Sequence, residues 1–384
     1  MEAYLDNSAT TQVLDCVKEE VVKAMTADYA NPSAMHLKGV DAEKYVKEAK
    51  ETLAKLMKVE EKEIYFTSGG TESNNMALIG AAMANRRAGN RIITTEIEHP
   101  SVSNTIKYLE EQGFELVLLP VDAEGKVKTE ALEKAMTADT ILVSVMYVNN
   151  EIGSVQPIEE INHIIRKINP QVVFHVDAVQ AFGKYRIYPK KLGIDLLSVS
   201  GHKLHGPKGI GFLYKNNAVK MKPVTFGGGQ QDGVRPGTLN VPGIAGIARA
   251  AKECYTDFET KQEYLYELKE LFTEGIRQIE GTTINGMSGR NGAPHVVSVS
   301  FDGVRSEVLL HALENKEIYV SAGSACSTHK ATVSATLKAI GLDKKYLDAT
   351  LRFSFSTLTT REEIEYTLES LKELLPVLRR FTRH

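Results

Sequence analysis

The residues best able to do chemistry gather first in one stretch, 196–212, which reads L-L-S-V-S-G-H-K-L-H-G-P-K-G-I-G-F. An apolar run ends at Ser200 and Gly201, and Lys203 follows between His202 and His205. The run 195–200 has the pattern of a short buried strand, so the lysine stands where a strand meets a loop. A lysine in a dry pocket or near other cations has a lowered pKa and can form a Schiff base with a carbonyl compound. A solvated loop lysine is the commoner reading of one such stretch taken alone.

Four other apolar runs also end in polar groups. After Ile64-Tyr65-Phe66 comes T-S-G-G-T-E-S-N (67–74) at a helix start. Gly69 and Gly70 let backbone approach an anion, and Thr71 with the first free N–H groups can bind it as a phosphate cup. A ligand-free helix cap fits the same segment. His99 follows the run 91–95 in a loop that leads into a helix, where a histidine is usually just solvated. Asn149, Asn150, Glu151 and Gly153 follow 140–147 and could reach a carboxylate. Asp177 and Gln180 follow 172–176; an aspartate there is costly to bury unless paired, or else caps a helix. A phosphate site, a carboxylate, a candidate stacking histidine and a Schiff-base lysine are together what pyridoxal phosphate (PLP) needs.

The elements that must carry these groups alternate. Strands are expected at 63–67, 91–95, 115–119, 140–147, 172–176, 195–200 and 210–214, with helices at 14–29, 40–57, 71–87, 102–112, 129–136 and 158–168. That order predicts an α/β domain with a mainly parallel central sheet, whose ligands bind beyond the strands' carboxyl ends. A long helical pattern runs from Val241 to about Ile279, broken near 256–260. Strands at 296–301 and 350–354 and helices at 306–314 and 361–378 then suggest a separate, smaller α+β core. The expected division is a large domain over 14–255 and a small domain over 256–384, completed by the segment 1–13.

Composition narrows the function classes. The 384 residues hold 46 Lys+Arg against 49 Asp+Glu, a net charge of −3. Nothing in that balance suggests a nucleic-acid or membrane-surface protein. No apolar run reaches a membrane span, and the first residues lack the basic start and apolar core of a signal peptide. Three scattered cysteines make neither a disulfide framework nor a zinc site. A cytoplasmic, reducing setting is the expectation.

Seven motifs occur in order: S-G-G-T-E-S-N-N, E-H-P-S-V, N-N-E-I-G, V-D-A-V-Q, S-G-H-K-L-H-G-P-K-G, G-G-G-Q-Q-D-G-V-R-P-G-T and S-A-G-S-A-C. Together they resemble cysteine desulfurases of the NifS/IscS type, within the class V aminotransferase-like, fold-type I PLP enzymes. The resemblance runs from Tyr4 to the final helix. It implies that Lys203 holds the PLP aldehyde and moves the Cα proton, while His99 stacks on the ring and assists proton transfer. It pairs Asp177 with the ring nitrogen and Gln180 with the ring hydroxyl. Gly70, Thr71, Ser200 and His202 would cradle the phosphate. Thr238, in R-P-G-T, would reach the phosphate of a second subunit, implying a homodimer with shared sites. Asn149, preferred over its neighbour Asn150, and Arg352 would bind the substrate carboxylate. Arginine suits this because its planar fork matches a carboxylate bidentately.

Cys326 would be the sulfur acceptor, with His329 and Lys330 favouring its thiolate. The implied reaction converts L-cysteine to L-alanine and leaves a persulfide on Cys326. That sulfur would pass to an iron–sulfur cluster scaffold or a tRNA-thiolation protein. No metal is required, although Cys326 could contact a cluster during transfer. Cys16 and Cys254 read as buried structural thiols. Three features depart from the commoner family pattern: Pro236 for serine in R-S-G-T, Ala322 for serine before G-S-A-C, and 331–334 without a proline run. The sequence also stops soon after Arg380, without the longer tail of some members. Rival readings are a selenocysteine lyase, another class V enzyme such as an aminotransferase, and a non-enzymatic sulfur-carrier platform.

Overall fold

A computed structural model describes residues 1–322 and 333–380. In chain order it contains β1 (Ala3–Tyr4), α1 (Asp15–Thr26), α2 (Leu37–Met57), β2 (Ile64–Thr67), α3 (Gly70–Asn85), β3 (Arg91–Thr95), α4 (Pro100–Glu111), β4 (Glu115–Leu119), α5 (Thr129–Ala135), β5 (Thr140–Met146) and α6 (Ile158–Ile168). Then come β6 (Val173–Asp177), α7 (Pro189–Leu192), β7 (Leu196–Ser200), β8 (Gly211–Lys215), α8 (Val241–Tyr255), α9 (Phe258–Arg277), β9 (Thr282–Asn285) and β10 (Val296–Phe301). The remainder is α10 (Ser306–Glu314), β11 (Ile318–Tyr319), β12 (Ser321–Ala322), α11 (Ala335–Ala339), β13 (Thr350–Ser354) and α12 (Arg361–Arg379).

The central sheet has seven strands in the order β2-β8-β7-β6-β5-β3-β4. Pairing from β4 through β3, β5 and β6 to β7 is parallel. Only β8 runs the other way, against both β7 and β2. The carboxyl ends of β2, β3, β5, β6 and β7 therefore open on one edge, where an α/β sheet binds ligands. Covered on both faces, β5, β6 and β7 bury every residue, which is why they read as continuous apolar runs. Alpha-6 shows the complementary pattern: Ile158, Ile161 and Ile165 are buried while its charged residues face out. Each such isoleucine contributes about 1.5–3 kcal/mol by leaving water. The one imidazole inside the sheet, His175, lies between Ser144 Oγ (2.8 Å) and Ser198 Oγ (3.0 Å) and is held neutral by burial.

A second core lies on the four-stranded sheet β12-β13-β10-β9. Phe272 of α9 packs on Phe353 and Phe355, with ring centroids 4.7 and 5.6 Å apart. Alpha-8 packs on α1 and α2, whereas α9 packs on α12 and β9. Asp257, with φ 49°, turns the chain between them. The first residues join both cores. Beta-1 pairs with β11, Ala3 and Leu5 are buried in the second core, and Thr11 N donates to His202 O at 2.9 Å. The two-residue strands β1, β11 and β12, and short α7 and α11, carry too few residues for a periodic sequence signal. Among the described residues no helix is long and apolar enough to cross a membrane.

Candidate active site

The strand ends and the N-terminal segment enclose a cavity of about 270 Å³. It is lined by Gly70, Thr71, Asn74, His99, Asn150, Asp177, Gln180, Ser200, His202, Lys203 and Arg352, with Ser8 and Ala9 closing one side. Sites separated by nearly three hundred residues in sequence thus meet in one pocket because each stands at a strand end or on β13.

Beta-7 ends in a short turn, Gly201–Lys203, which lifts Lys203 off the sheet. Lys203 Nζ donates to Ser8 O (2.5 Å) and Ala9 O (2.7 Å). His205 holds a left-handed backbone (φ 63°), stabilised because its N–H donates to Thr11 Oγ1 at 2.7 Å and its Nδ1 lies 2.8 Å from Gln12 O. Burial and the nearby lysines hold His202 down to about 4, so it is neutral; its Nδ1 is 3.2 Å from Thr10 Oγ1.

Asp177 ends β6 almost fully buried. It accepts from Asn74 Nδ2 (2.8 Å) and Val179 N (3.0 Å), and no cation lies within ion-pair distance among the described residues. Asn74 also donates to Ser101 Oγ at 2.9 Å, and Ser101 Oγ is 2.8 Å from His99 Nδ1. The Ser101 amide donates to the same Nδ1 (3.1 Å), so that nitrogen is an acceptor and the His99 proton sits on Nε2. Burial lowers the His99 pKa, Asp177 opposes that shift and Lys203 reinforces it. Asp177, Asn74, Ser101 and His99 thus form one chain of hydrogen bonds that orients the imidazole. Asn74 and Ser101 had no assigned role in the sequence, although both lie near the start of a helix that follows a strand.

Alpha-3 points its N-terminus at the cavity. Gly69 (φ 154°) starts it without strain, and a Cβ at Gly70 would come 2.7 Å from Val179 Cγ2 and 3.5 Å from Ser200 Cβ. The cradle is therefore open only because residue 70 is glycine. Gln180 donates from Nε2 to Ser8 O at 3.0 Å. Arg352, 5% exposed on β13, donates to Asp6 Oδ1 (2.7 Å) and to Asn150 O (2.9 Å). Its Nε is fully buried, with no hydrogen-bond partner among the described residues. Asp6 could not be assigned from sequence, because only the fold sets it beside Arg352.

Asn149 corrects the sequence expectation. It is wholly buried away from the cavity, and its amide is spent on the turn: Nδ2 donates to Ile97 O at 3.0 Å, and Oδ1 accepts from Glu151 N (2.8 Å) and Ile152 N (3.0 Å). Asn150 lines the cavity in its place. Thr238 is exposed and does not line this cavity. Cys326 lies outside the described residues, but its flanks are defined. Ser321 pairs with Arg352 on β13, and Ser334 Oγ donates to Glu151 at 2.5 Å. Cys16 and Cys254 are half-buried rather than fully buried, and Cys254 borders a second cavity. Among the described residues no cluster of ligating side chains could hold a metal.

Glu98, unnoticed in sequence, lies behind this site. Its Oε1 accepts from Thr95 Oγ1 (2.7 Å) and Met146 N (2.9 Å), while Oε2 has no partner among the described residues. Burial pushes its carboxyl up to about 8. Between its ordinary range and about 8 the folded chain keeps a proton that the unfolded chain has lost, so this group's contribution to stability falls as pH rises. Glu98→Gln removes that titration. Its Tm relative to wild type should climb between about pH 5 and about pH 8 by at least about 2 °C. A difference independent of pH in thermal denaturation would contradict the assignment.

The class V aminotransferase family model matches residues 3–367. The chain is 43% identical over 376 residues to cysteine desulfurase IscS of Methanosarcina thermophila, covering 98% of this chain and 92% of that protein. It is 41% identical to putative cysteine desulfurase IscS 1 of Bacillus subtilis, covering 99% of each. A solved NifS-like protein superposes with a TM-score of 0.93 at 38% identity, over 98% of this chain and 100% of that one. SspA, solved in complex with cysteine, superposes with a TM-score of 0.82 at 33% identity, over 93% of this chain and 100% of that one. An α/β sheet with its polar groups at the strand ends, together with these matches, makes the chain a member of the class V aminotransferase family and of its NifS/IscS-type cysteine desulfurases.

Proposed function

We propose that this chain removes sulfur from L-cysteine, releasing L-alanine and leaving the sulfur on Cys326 as a persulfide. The observation that carries the reading is the convergence of Lys203, Asp177, His99 and Arg352 on one cavity. Those residues fit PLP. A buried carboxylate with no cation at ion-pair distance among the described residues suits a protonated ring nitrogen, and the open cradle at Gly70 suits a phosphate at a helix N-terminus. Lys203 would hold the aldehyde, Asp177 the ring nitrogen, His99 the ring face and Gln180 the ring hydroxyl. Gly70, Thr71, Ser200 and His202 would hold the phosphate. When bound, PLP supplies an electron sink for the carbanion formed at the substrate Cα.

The protein's own groups do the rest. Arg352 and Asn150, which both line the cavity, bind the substrate carboxylate and fix the Cα–H bond towards Lys203. Lys203 Nζ removes the Cα proton, and His99 Nε2–H is placed to donate within the site. The Cys326 thiolate attacks the substrate sulfur; the substrate C–S bond breaks as the S–S bond forms. The carbon fragment takes up protons and leaves as alanine. Of the flanks of Cys326, Ser321 lies beside Arg352 and Ser334 beside Glu151, which supports delivery of a thiol to this edge.

A homodimer is part of this proposal. A groove of about 910 Å³ opens beside Thr71 and His99 and is walled by Ile79, Met83, Tyr108, Val224 and Phe226, the last 83% exposed. Such an apolar patch beside the site suits a second copy of the chain, whose Thr238 would complete the phosphate cup. The persulfide sulfur would then pass to an iron–sulfur scaffold or a tRNA-thiolation protein. A cytoplasmic setting suits the unpaired Cys16 and Cys254.

The test offers the purified protein L-cysteine, L-selenocysteine and an amino acid/keto acid pair in separate reactions. Alanine and sulfide from cysteine are expected, with transamination at background. Turnover confined to selenocysteine, or transamination faster than alanine release, would overturn the reading.

A further inference from the structure

Behind the candidate active site lies a second cavity, of about 460 Å³, that shares none of its lining residues with the first. It sits between the two cores. Lys184, Lys261, His205, His295 and Cys254 border it, together with the first turn of α9. Lys184 and Lys261 lie near each other, since both perturb His205 and Cys254. Neither lysine has a carboxylate within ion-pair distance among the described residues. The ammonium of Lys184 donates to the Lys203 carbonyl and that of Lys261 to Glu253 O at 2.6 Å. Burial pulls Lys184 down to about 8, a sign that its charge is poorly compensated. The anionic groups nearby are engaged: Glu253 with Arg249 at 2.9 Å and Glu259 with Arg186 at 2.7 Å. The N-terminus of the 20-residue α9 adds its positive end.

The two imidazoles specify what kind of anion fits. His295 is 1% exposed and held neutral by burial. Its Nε2 is 3.3 Å from Gln180 Oε1, and Gln180 is oriented by donating from Nε2 to the Ser8 carbonyl. The His295 proton is therefore on Nε2, which leaves Nδ1 an acceptor that is sealed off from the cavity and has no partner among the described residues. His205 has its proton on Nδ1, against the Gln12 carbonyl, so its Nε2 is also an acceptor. Cations that want an oxyanion stand beside acceptors that want a proton donor.

We propose that this cavity is a second ligand site for a small protonated oxyanion, of which hydrogen phosphate is the simplest. Its oxygens accept from Lys184, Lys261 and the α9 terminus, and its O–H donates to His205 Nε2. The site adjoins the active cavity through Lys184 and His295, which hold the Lys203 carbonyl and Gln180.

The test titrates inorganic phosphate into the full chain loaded with PLP, so that the cradle at Gly70 is already filled, and reads binding by calorimetry. One saturable site is expected, with sulfate binding more weakly because it brings no proton. Lys261→Met should weaken phosphate binding about tenfold or more, and Lys261→Arg should restore it. Lys261 touches neither cofactor nor substrate in our reading, so Lys261→Met keeps wild-type colour and turnover. Absence of saturable binding, sulfate binding as tight as phosphate, or undiminished binding in Lys261→Met would each overturn the proposal. None of these readouts needs cysteine turnover, so failure of the desulfurase reading leaves this test intact.

Discussion

Cys326→Ala should abolish sulfur transfer while keeping the yellow colour of bound PLP. None of the described residues that line the active cavity changes in this variant, so cofactor binding is untouched. What disappears is the nucleophile. Lys203 still removes the Cα proton, but the substrate sulfur has no thiolate to leave to. Alanine release should fall on the order of a thousandfold or more, which is about 4 kcal/mol of barrier. No persulfide should form. Alanine release at the wild-type rate in the absence of reductant would remove Cys326 from the mechanism.

Lys203→Ala strikes two functions at once. It removes the amine that holds the PLP aldehyde and the base that moves the Cα proton. Proton transfer by a positioned side chain alone is worth on the order of 10²–10⁴ in rate, and loss of a central group of a catalytic unit often costs more. Cysteine turnover should therefore drop to background. The fold should survive. The lost contacts include hydrogen bonds to the Ser8 and Ala9 carbonyls, each worth about 1 kcal/mol net. Borohydride reduction followed by peptide mass analysis should find PLP on Lys203 in wild type and on no lysine in the variant. A reducible adduct on another lysine would contradict the assignment.

Much of this is legible in the sequence. The strands β2, β3, β5, β6 and β7 are apolar runs bounded by polar residues, and their order forces their ends onto one edge. Lys203, His99 and Asp177 each follow such a run, so the cavity could be anticipated from local pattern. Arg352 is mid-strand in the second sheet, and only the resemblance to the family pointed to it. The groups that escaped were those whose role depends on tertiary placement. Asp6 and the Ser8 and Ala9 carbonyls reach the site because β1 docks on β11, a two-residue pairing with no periodic signature. The asparagine pair shows the limit most sharply. Asn149 and Asn150 are chemically identical neighbours, and the turn alone decides that the first caps Glu151 and Ile152 while the second faces the cavity. We propose that the expected domain division near residue 255 stands with the α8–α9 break, since α8 and α9 pack on different cores.

The most direct test of the account is a single turnover without reductant. The PLP-loaded protein is mixed with one equivalent of L-cysteine, quenched, and assayed for alanine and for the mass of the peptide that contains Cys326. The account predicts one alanine per site and a peptide heavier by one sulfur atom, with Cys16 and Cys254 unmodified. Alanine formed while the Cys326 peptide keeps its original mass, or sulfur found on another cysteine, would contradict it.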